Sequence, residues 1–246
     1  MEQHLPGGFI TAVVRAGDTV RRPRSPNAPF VHDLLLHLEL RGWAGAPRFL
    51  GIDEQGREIL SYLEGHVPWT SAPGQPAEVG SDESLAEVAR LARQLHDLTA
   101  GTPLAGPAEV VCHSDLSPRN TVYRDTGHGL RPFAFLDWDL AAPGARLHDL
   151  AHIGWQFLDL GPAVADLAET SRRLRLLCDS YGMDDRTRLV ETILWWQERC
   201  WRGIESGAAA GDPAMMRLRD RGASAEVRAA HAWVATHRDR LEAAIA

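Results

Sequence analysis

The sequence contains no lysine, because all 26 of its basic residues are arginine. A lysine ammonium therefore cannot hold a phosphate or carboxylate group in this protein. A guanidinium would have to do so instead. Arginine binds two oxygens at once with a planar fork and is not interchangeable with the compact charge of lysine.

Cysteine and long apolar runs are also scarce. The three cysteines, Cys112, Cys178 and Cys200, are odd in number and lack metal-type spacing, so we expect buried thiols rather than disulfides or a zinc site. No apolar run approaches the length of a membrane span, and the start, Met1-Glu2-Gln3-His4, has no export signal. We therefore expect a cytoplasmic protein that does not bind membranes.

The remaining composition is that of an ordinary globular protein. The chain has 246 residues, of which 44% are hydrophobic and 24% charged, which is enough to bury a substantial core. Its formal net charge of -7, with no arginine run among aromatic residues, argues against nucleic-acid binding. Small molecules are the expected partners, and the oligomeric state is left open.

The most informative segment is His113-Ser114-Asp115-Leu116-Ser117-Pro118-Arg119-Asn120, which is followed by Leu136-Asp137-Trp138-Asp139. Between them, two stretches rich in β-branched and aromatic residues flank the turn sequence Asp125-Thr126-Gly127-His128-Gly129, which predicts a hairpin. Because a hairpin holds its ends side by side, we expect Asn120 and Asp137 to lie close together, with Asp115 on the preceding loop.

These side chains suit phosphoryl transfer. Magnesium prefers one or two carboxylate or amide oxygens from protein, which Asn120 and Asp137 offer. Protein kinases use an Asp to accept the alcohol proton, an Asn for one metal and a second Asp for both metals, in the order of Asp115, Asn120 and Asp137. The alternative is that Asp115 and Asn120 only cap turns.

The segment resembles the aminoglycoside phosphotransferase and choline kinase-like family, which writes the loop as H-G-D-x-x-x-x-N and the metal segment as I-D-W. Here Ser114 replaces the loop Gly and Leu136 replaces Ile. The resemblance implies that Asp115 is the catalytic base, that His113 supports the loop by hydrogen bonding, and that Asn120 and Asp137 bind Mg2+. Asp139 is either an accessory carboxylate or an exposed strand end.

The resemblance also implies a protein-kinase-like α+β fold with two lobes. Residues 1–65 would form a small antiparallel-sheet lobe with one helix and the hinge, and residues 66–246 a larger, mainly helical lobe with the catalytic loop and acceptor pocket. The connector at 67–81, rich in Pro, Gly and Ser, marks the boundary. In the helical lobe, Gly182, Gly203 and Gly222 are predicted helix stops.

The nucleotide-binding residues are assigned by the same resemblance. The family's kinases hold the phosphates with a strand lysine paired with a helix glutamate. Two-residue alternation puts Val20 and Arg22 on one face of the strand Thr19-Val20-Arg21-Arg22, so Arg22 is the expected substitute. The alternative is that Arg21 and Arg22 are solvated strand charges.

The family pattern also includes a helix glutamate and further contacts to the nucleotide. Val31-His32-Asp33 stands at the helix start, so either Asp33 serves or the ion pair is missing. Gly7 and Gly8 would form the turn over the phosphates. The hinge residues Ser61, Tyr62 and Leu63 would bind adenine through their backbone.

The sequence therefore predicts a phosphotransferase that moves the γ-phosphoryl of ATP or GTP to a hydroxyl of a small molecule. The acceptor stays open among aminoglycosides, amino alcohols, sugars and other metabolites, because fold does not fix substrate. One alternative is a catalytically impaired nucleotide- or metabolite-binding protein. Another is a metal-dependent histidine-aspartate phosphohydrolase built on His148-Asp149 with His113 or His152.

Overall fold

The computed structural model describes residues 2–5, 13–68 and 75–246. The chain divides into two compact units, Met1–Arg146 and Leu147–Ala246. The predicted turn at Gly7 and Gly8 lies outside the described residues. None of the described helices is both long enough and apolar enough to cross a membrane.

The first unit is built on short antiparallel sheets. Its described strands are β1 (Gln3–His4), β2 (Val14–Ala16), β3 (Thr19–Arg22), β4 (Phe49–Ile52), β5 (Glu58–Ser61), β6 (Val110–Cys112), β7 (Thr121–Asp125), β8 (Leu130–Phe135) and β9 (Ala142–Gly144). Five of them form a sheet in the order β1-β2-β3-β5-β4, and β6 pairs with β9 while β7 pairs with β8. The order places β3 and β5 side by side in the larger sheet.

Helix α1 (Ala28–Leu40) covers this sheet near β4. Pro29 lies in its first turn, where a missing N–H costs nothing, and the chain leaves the helix at Gly42 with φ of 70°. Its buried stripe includes Val31, Leu34, Leu35 and Leu38, which recur at the spacing of one helix face. The apolar stripe fixes which helix face points inward.

The register between β3 and β5 matters for the site. Arg22 lies directly opposite Glu58, and both side chains are buried. Opposed side chains on neighbouring antiparallel strands have Cβ atoms about 5 Å apart, so this register alone brings the two charges together.

The predicted hairpin is β7–β8, and its register pairs Thr121 with Phe135. The segment that contains Gly65 and His66 lies against β7, where two backbone hydrogen bonds of 2.8 Å join His66 to Tyr123. Gly65 makes this approach possible, because a Cβ there would lie 2.5 Å from Val122 Cγ1 and 2.6 Å from Tyr123 O. The first unit also contains α2 (Asp82–Thr99), which lies against β6 and β8.

The second unit is helical throughout its described elements. These are α3 (Arg146–Phe157), which begins at the last residue of the first unit, α4 (Leu167–Tyr181), α5 (Leu189–Ala209), α6 (Pro213–Asp220), α7 (Ala223–Thr236) and α8 (Arg238–Ile245). Helix α5 packs against α6 and α7, and α4 packs against α8.

Two of the three predicted helix stops are confirmed. Gly182 ends α4 with φ of 75°, and Gly222, with φ of 86°, separates α6 from α7. The prediction for Gly203 is wrong, because α5 runs through it. Buried residues on either side, among them Gln197 and Ile204, hold the helix together against the roughly 1 kcal/mol cost of an internal glycine.

Two of the three cysteines, Cys112 and Cys178, are buried as predicted, and Cys200 is partly exposed. Burial raises the pKa of the Cys178 thiol to about 11, so it stays protonated near neutral pH. That thiol is a packing group rather than a nucleophile.

Candidate active site

The loop after β6 carries the predicted base. Asn120 donates its Nδ2–H to the side-chain Oδ2 of Asp115 at 2.8 Å and to its backbone oxygen at 2.9 Å. Ser114 has φ of 66°, a left-handed conformation that is disfavoured for residues other than glycine. The geometry gives a physical reason for glycine at this position in the family pattern.

The second predicted metal segment is tied to this loop. Leu136 N donates to Asn120 O at 2.8 Å, and the buried His113 ring donates from Nε2 to Leu136 O at 3.0 Å. The His113 ring also lies against Trp138, with centroids 4.5 Å apart. Asp137 follows in a left-handed conformation, with φ of 60° and ψ of 68°. The structure thus places Asp137 next to the segment that carries Asn120 and Asp115.

Arg22 reaches into this segment from β3. Its guanidinium bonds Asp137 Oδ1 through Nη1 at 3.0 Å and Asp139 Oδ1 through Nη2 at 2.6 Å, while Nε bonds Glu58 Oε1. The Arg22 side chain is only 10% exposed, whereas Asp137 is 51% and Asp139 29% exposed. Arg22 is therefore not a solvated strand charge.

The electrostatics of this cluster favour a further cation. Burial lowers the pKa of Arg22, but the charges of Asp139, Glu58 and Asp137 outweigh it, so the net direction is upward. Burial raises the pKa of Asp139, and Arg22 opposes that rise only in part. One guanidinium faces three carboxylates, so the cluster retains negative potential.

Glu58 is the functional residue that the sequence analysis missed. It lies on β5 rather than on the helix, and its side chain is 1% exposed. The sequence did contain a signal for Glu58. Alternation puts Glu58 and Leu60 on the buried face of β5, where a carboxylate needs a cation or hydrogen-bond donors. The Arg22–Glu58 pair comes from two neighbouring strands.

Helix α1 contributes a histidine to the same carboxylate. His32 Nε2 lies 2.8 Å from Glu58 Oε2, and its ring stacks on Phe49 with centroids 3.7 Å apart and planes at 13°. Asp33, the predicted alternative partner, is exposed and Glu58 takes its place. Among the described residues, the predicted Asp33 pair does not form and α1 supplies no carboxylate to Arg22, so the strand residue Glu58 is the partner instead.

The predicted hinge residues follow β5. Ser61 N donates to Arg48 O at 2.9 Å and Tyr62 N donates to Asp18 O at 2.8 Å, while the Arg15 guanidinium lies 3.7 Å above the Tyr62 ring. Leu63 comes next and is partly buried. Two of the three N–H groups are thus used within the sheet, so adenine recognition by these residues stays a prediction.

The donors fit magnesium. Because Asn120 uses its amide nitrogen to bind Asp115, its carbonyl oxygen is the atom left for a cation. Asp137 bonds Arg22 through Oδ1 and is half exposed, so Oδ2 is accessible. Two hard oxygens with room for water and phosphate match the usual coordination of Mg2+.

The histidines proposed for a phosphohydrolase centre have aromatic neighbours. In the second unit, His148 lies edge-on to Trp195 and Trp196, and His152 lies edge-on to Trp155 and Trp196. Trp196 also donates its indole N–H to the His148 carbonyl at 2.9 Å. These contacts give both histidines a packing role, and the phosphohydrolase stays a hypothesis.

A protein-family model and a relative of similar length both match this chain. A family model described as "Phosphotransferase enzyme family" matches residues 82–171. The chain is also 31% identical to the trifolitoxin immunity protein of Rhizobium leguminosarum bv. trifolii, over 98% of both proteins. The chain belongs to the phosphotransferase enzyme family.

Solved structures that resemble this phosphotransferase confirm the predicted protein-kinase-like α+β fold. A choline/ethanolamine kinase family protein from Mesorhizobium loti matches with a TM-score of 0.62 at 18% identity, covering 100% of this chain and 92% of that one. The GDP complex of aminoglycoside 2'-phosphotransferase-IIIa matches with a TM-score of 0.62 at 13% identity, covering 94% and 92%. At these identities the likeness concerns the fold alone.

Proposed function

We propose that this phosphotransferase moves the γ-phosphoryl group of ATP or GTP onto a hydroxyl of a small molecule. The observation that carries the proposal is the buried Arg22 guanidinium bonded to Asp137, beside the loop on which Asn120 holds Asp115. Family membership supports transfer to a small molecule, and the nucleotide and the hydroxyl acceptor are our inference.

Asp115 is the proposed base. Its Oδ2 accepts a hydrogen bond from Asn120, which orients the carboxylate, and the carboxylate takes the proton of the acceptor hydroxyl. The hydroxyl oxygen then forms a bond to the γ-phosphorus while the bond to the β,γ-bridging oxygen breaks, and the nucleoside diphosphate leaves with that electron pair. Because such transition states are loose, positioning and charge neutralisation supply most of the rate.

Asn120 and Asp137 would hold magnesium through the Asn120 carbonyl oxygen and Asp137 Oδ2. A bound Mg2+ neutralises phosphate charge and orients the triphosphate. His113 holds the carbonyl of Leu136 and so fixes the residue before Asp137. Arg22 provides the cation that a lysine provides in other kinases, with a fork that can face phosphate oxygens.

The proposed acceptor is based on the enzymes of the family, and the proposed biological role is based on the immunity relative. The family includes enzymes that act on aminoglycosides and amino alcohols, and the immunity relative protects against trifolitoxin. We infer that the acceptor is a hydroxyl-bearing metabolite or toxic compound and that the transfer takes place in the cytoplasm, where nucleotides are abundant. The division into a nucleotide lobe at 1–65 and an acceptor lobe at 66–246 is part of the same proposal.

The test is a transfer assay with γ-labelled ATP and GTP, magnesium, and a panel of amino alcohols, sugars, aminoglycosides and trifolitoxin. Asp115→Asn should lower turnover by about 10²- to 10⁴-fold while nucleotide affinity stays unchanged. Asp125→Asn is the matched control, because Asp125 is exposed and its side chain accepts a bond from Gly127 N in the hairpin turn. Turnover by Asp115→Asn at the wild-type level would refute the assignment.

A second candidate function is a nucleotide-binding protein without transfer activity. It is favoured by one observation, namely that Arg22 is already engaged by three carboxylates. Magnesium-dependent nucleotide binding with no transfer to any acceptor in the panel would favour this alternative. The histidine-aspartate phosphohydrolase would instead require release of phosphate from phosphate esters in the presence of a transition metal.

A further inference from the structure

We infer that His32 is a positioning residue for the nucleotide site: it fixes Glu58, which in turn fixes the direction of the Arg22 guanidinium. The inference rests on the proposed function, because it concerns how Arg22 is presented to the nucleotide phosphates. It assigns to the start of α1 a role that neither Asp33 nor any other carboxylate of that helix fills.

The hydrogen-bond chemistry identifies His32 as a donor. The Glu58 carboxylate only accepts hydrogen bonds, so His32 Nε2, 2.8 Å away, carries the hydrogen. The other carboxylate oxygen of Glu58 accepts from Arg22 Nε. Both oxygens are therefore engaged on opposite sides, and the carboxylate cannot rotate without losing one of its two bonds.

His32 is itself held in place. Its ring stacks nearly parallel on Phe49 of β4, and its side chain is 12% exposed. The histidine is thus fixed by the strand next to β5, while its backbone belongs to α1. A shift of α1 relative to the sheet would change the His32–Glu58 distance directly.

The consequence for Arg22 follows from its planar fork. Glu58 anchors Nε, and this anchor sets where Nη1 and Nη2 point, which in this structure is towards Asp137 and Asp139. If Glu58 turns away, the guanidinium pivots about its last rotatable bonds and loses the orientation needed for bidentate contact with phosphate. His32 therefore acts on nucleotide affinity through two intervening side chains.

The experiment measures the affinity of a non-hydrolysable ATP analogue with magnesium by calorimetry, together with the melting temperature. His32→Phe keeps an aromatic ring on Phe49 but removes the donor. The dissociation constant should rise about tenfold, because a misdirected Arg22 loses about one charge-assisted hydrogen bond to phosphate. His32→Gln, which restores an N–H donor, should bring it back to within about threefold of wild type.

His37→Phe is the matched control, because His37 lies on the same helix and bonds Leu98 O at 2.9 Å, away from Glu58. It should lower the melting temperature without changing nucleotide affinity. Wild-type affinity in His32→Phe, or equal weakening in His32→Phe and His37→Phe, would overturn the role of His32. If the wild-type protein itself does not bind the analogue, the proposed function falls, and this role falls with it.

Discussion

Replacing Arg22 by methionine should destabilise the protein mainly through Glu58. Methionine matches the length of the arginine stem but carries no charge, so among the described residues the 1% exposed Glu58 keeps only its side-chain bond to His32. Asp137 and Asp139 also lose Arg22, but they are exposed enough to be solvated by water. The cost therefore arises from one buried carboxylate.

The expected loss of stability follows from the single buried carboxylate that loses its cation. Removing one partner of a buried ion pair costs about 3–5 kcal/mol, and the His32 bond places the expected loss near 3 kcal/mol. In a chain of this size that corresponds to a fall in melting temperature of roughly 6–12 °C. Glu58→Leu alone should cost only about 1 kcal/mol, because Asp137 and Asp139 still lie near enough to neutralise the Arg22 charge even if its guanidinium turns.

The double variant Arg22→Met/Glu58→Leu separates charge burial from packing. With both charges gone, the free energy of unfolding should return to within about 1 kcal/mol of wild type. The two single effects would then be non-additive by about 3 kcal/mol.

Guanidinium chloride denaturation followed by tryptophan fluorescence measures the free energy of unfolding of the wild type, the two single variants and the double variant. Arg21→Met is the control, because Arg21 is on the same strand, is bonded to Thr19 and lies 4.0 Å from Asp53. Its loss should cost at most about 1 kcal/mol. Additive single effects, or an Arg22→Met cost no larger than that of Arg21→Met, would refute the reasoning.

Three further substitutions test the packing of the chain. Gly65→Ala should lower the free energy of unfolding by about 1–3 kcal/mol, because the new Cβ would lie 2.5 Å from Val122 Cγ1 and the residue would have a φ of 156°. Gly203→Ala, on an open face of α5, should instead raise the free energy of unfolding by about 0.5–1 kcal/mol. Thermal melts measure both changes in stability, and a stabilising Gly65→Ala would contradict the close approach of Gly65 to Val122. Tyr123→Phe should stabilise by about 1 kcal/mol, because the buried Tyr123 hydroxyl has no hydrogen-bond partner among the described residues; a loss of stability in urea denaturation would show that the hydroxyl is satisfied.

Much of the site could be predicted because its signals are local. The hairpin that joins Asn120 to Asp137 is encoded by a turn sequence between two β-rich stretches. The family resemblance called for a cation on the strand, and two-residue alternation then favoured Arg22, whose side chain is buried in the sheet. Each of these inferences depends on residues close together in the sequence.

The remainder depends on contacts between distant segments. Glu58 is 36 residues from Arg22, and only the β3–β5 register places the two opposite each other. His32 could not be assigned, because a histidine near a helix start has many uses until its neighbour is known. The Gly203 error has the opposite origin, since a local stop signal was outweighed by burial along α5.

The central claim is that Arg22, held by Glu58, binds the nucleotide phosphates in place of a lysine. Calorimetric titration of magnesium and an ATP analogue into wild type, Arg22→Gln and Arg21→Gln tests it most directly. We predict magnesium-dependent binding by wild type and Arg21→Gln, and at least about tenfold weaker binding by Arg22→Gln. Equal affinity in wild type and Arg22→Gln would contradict the claim.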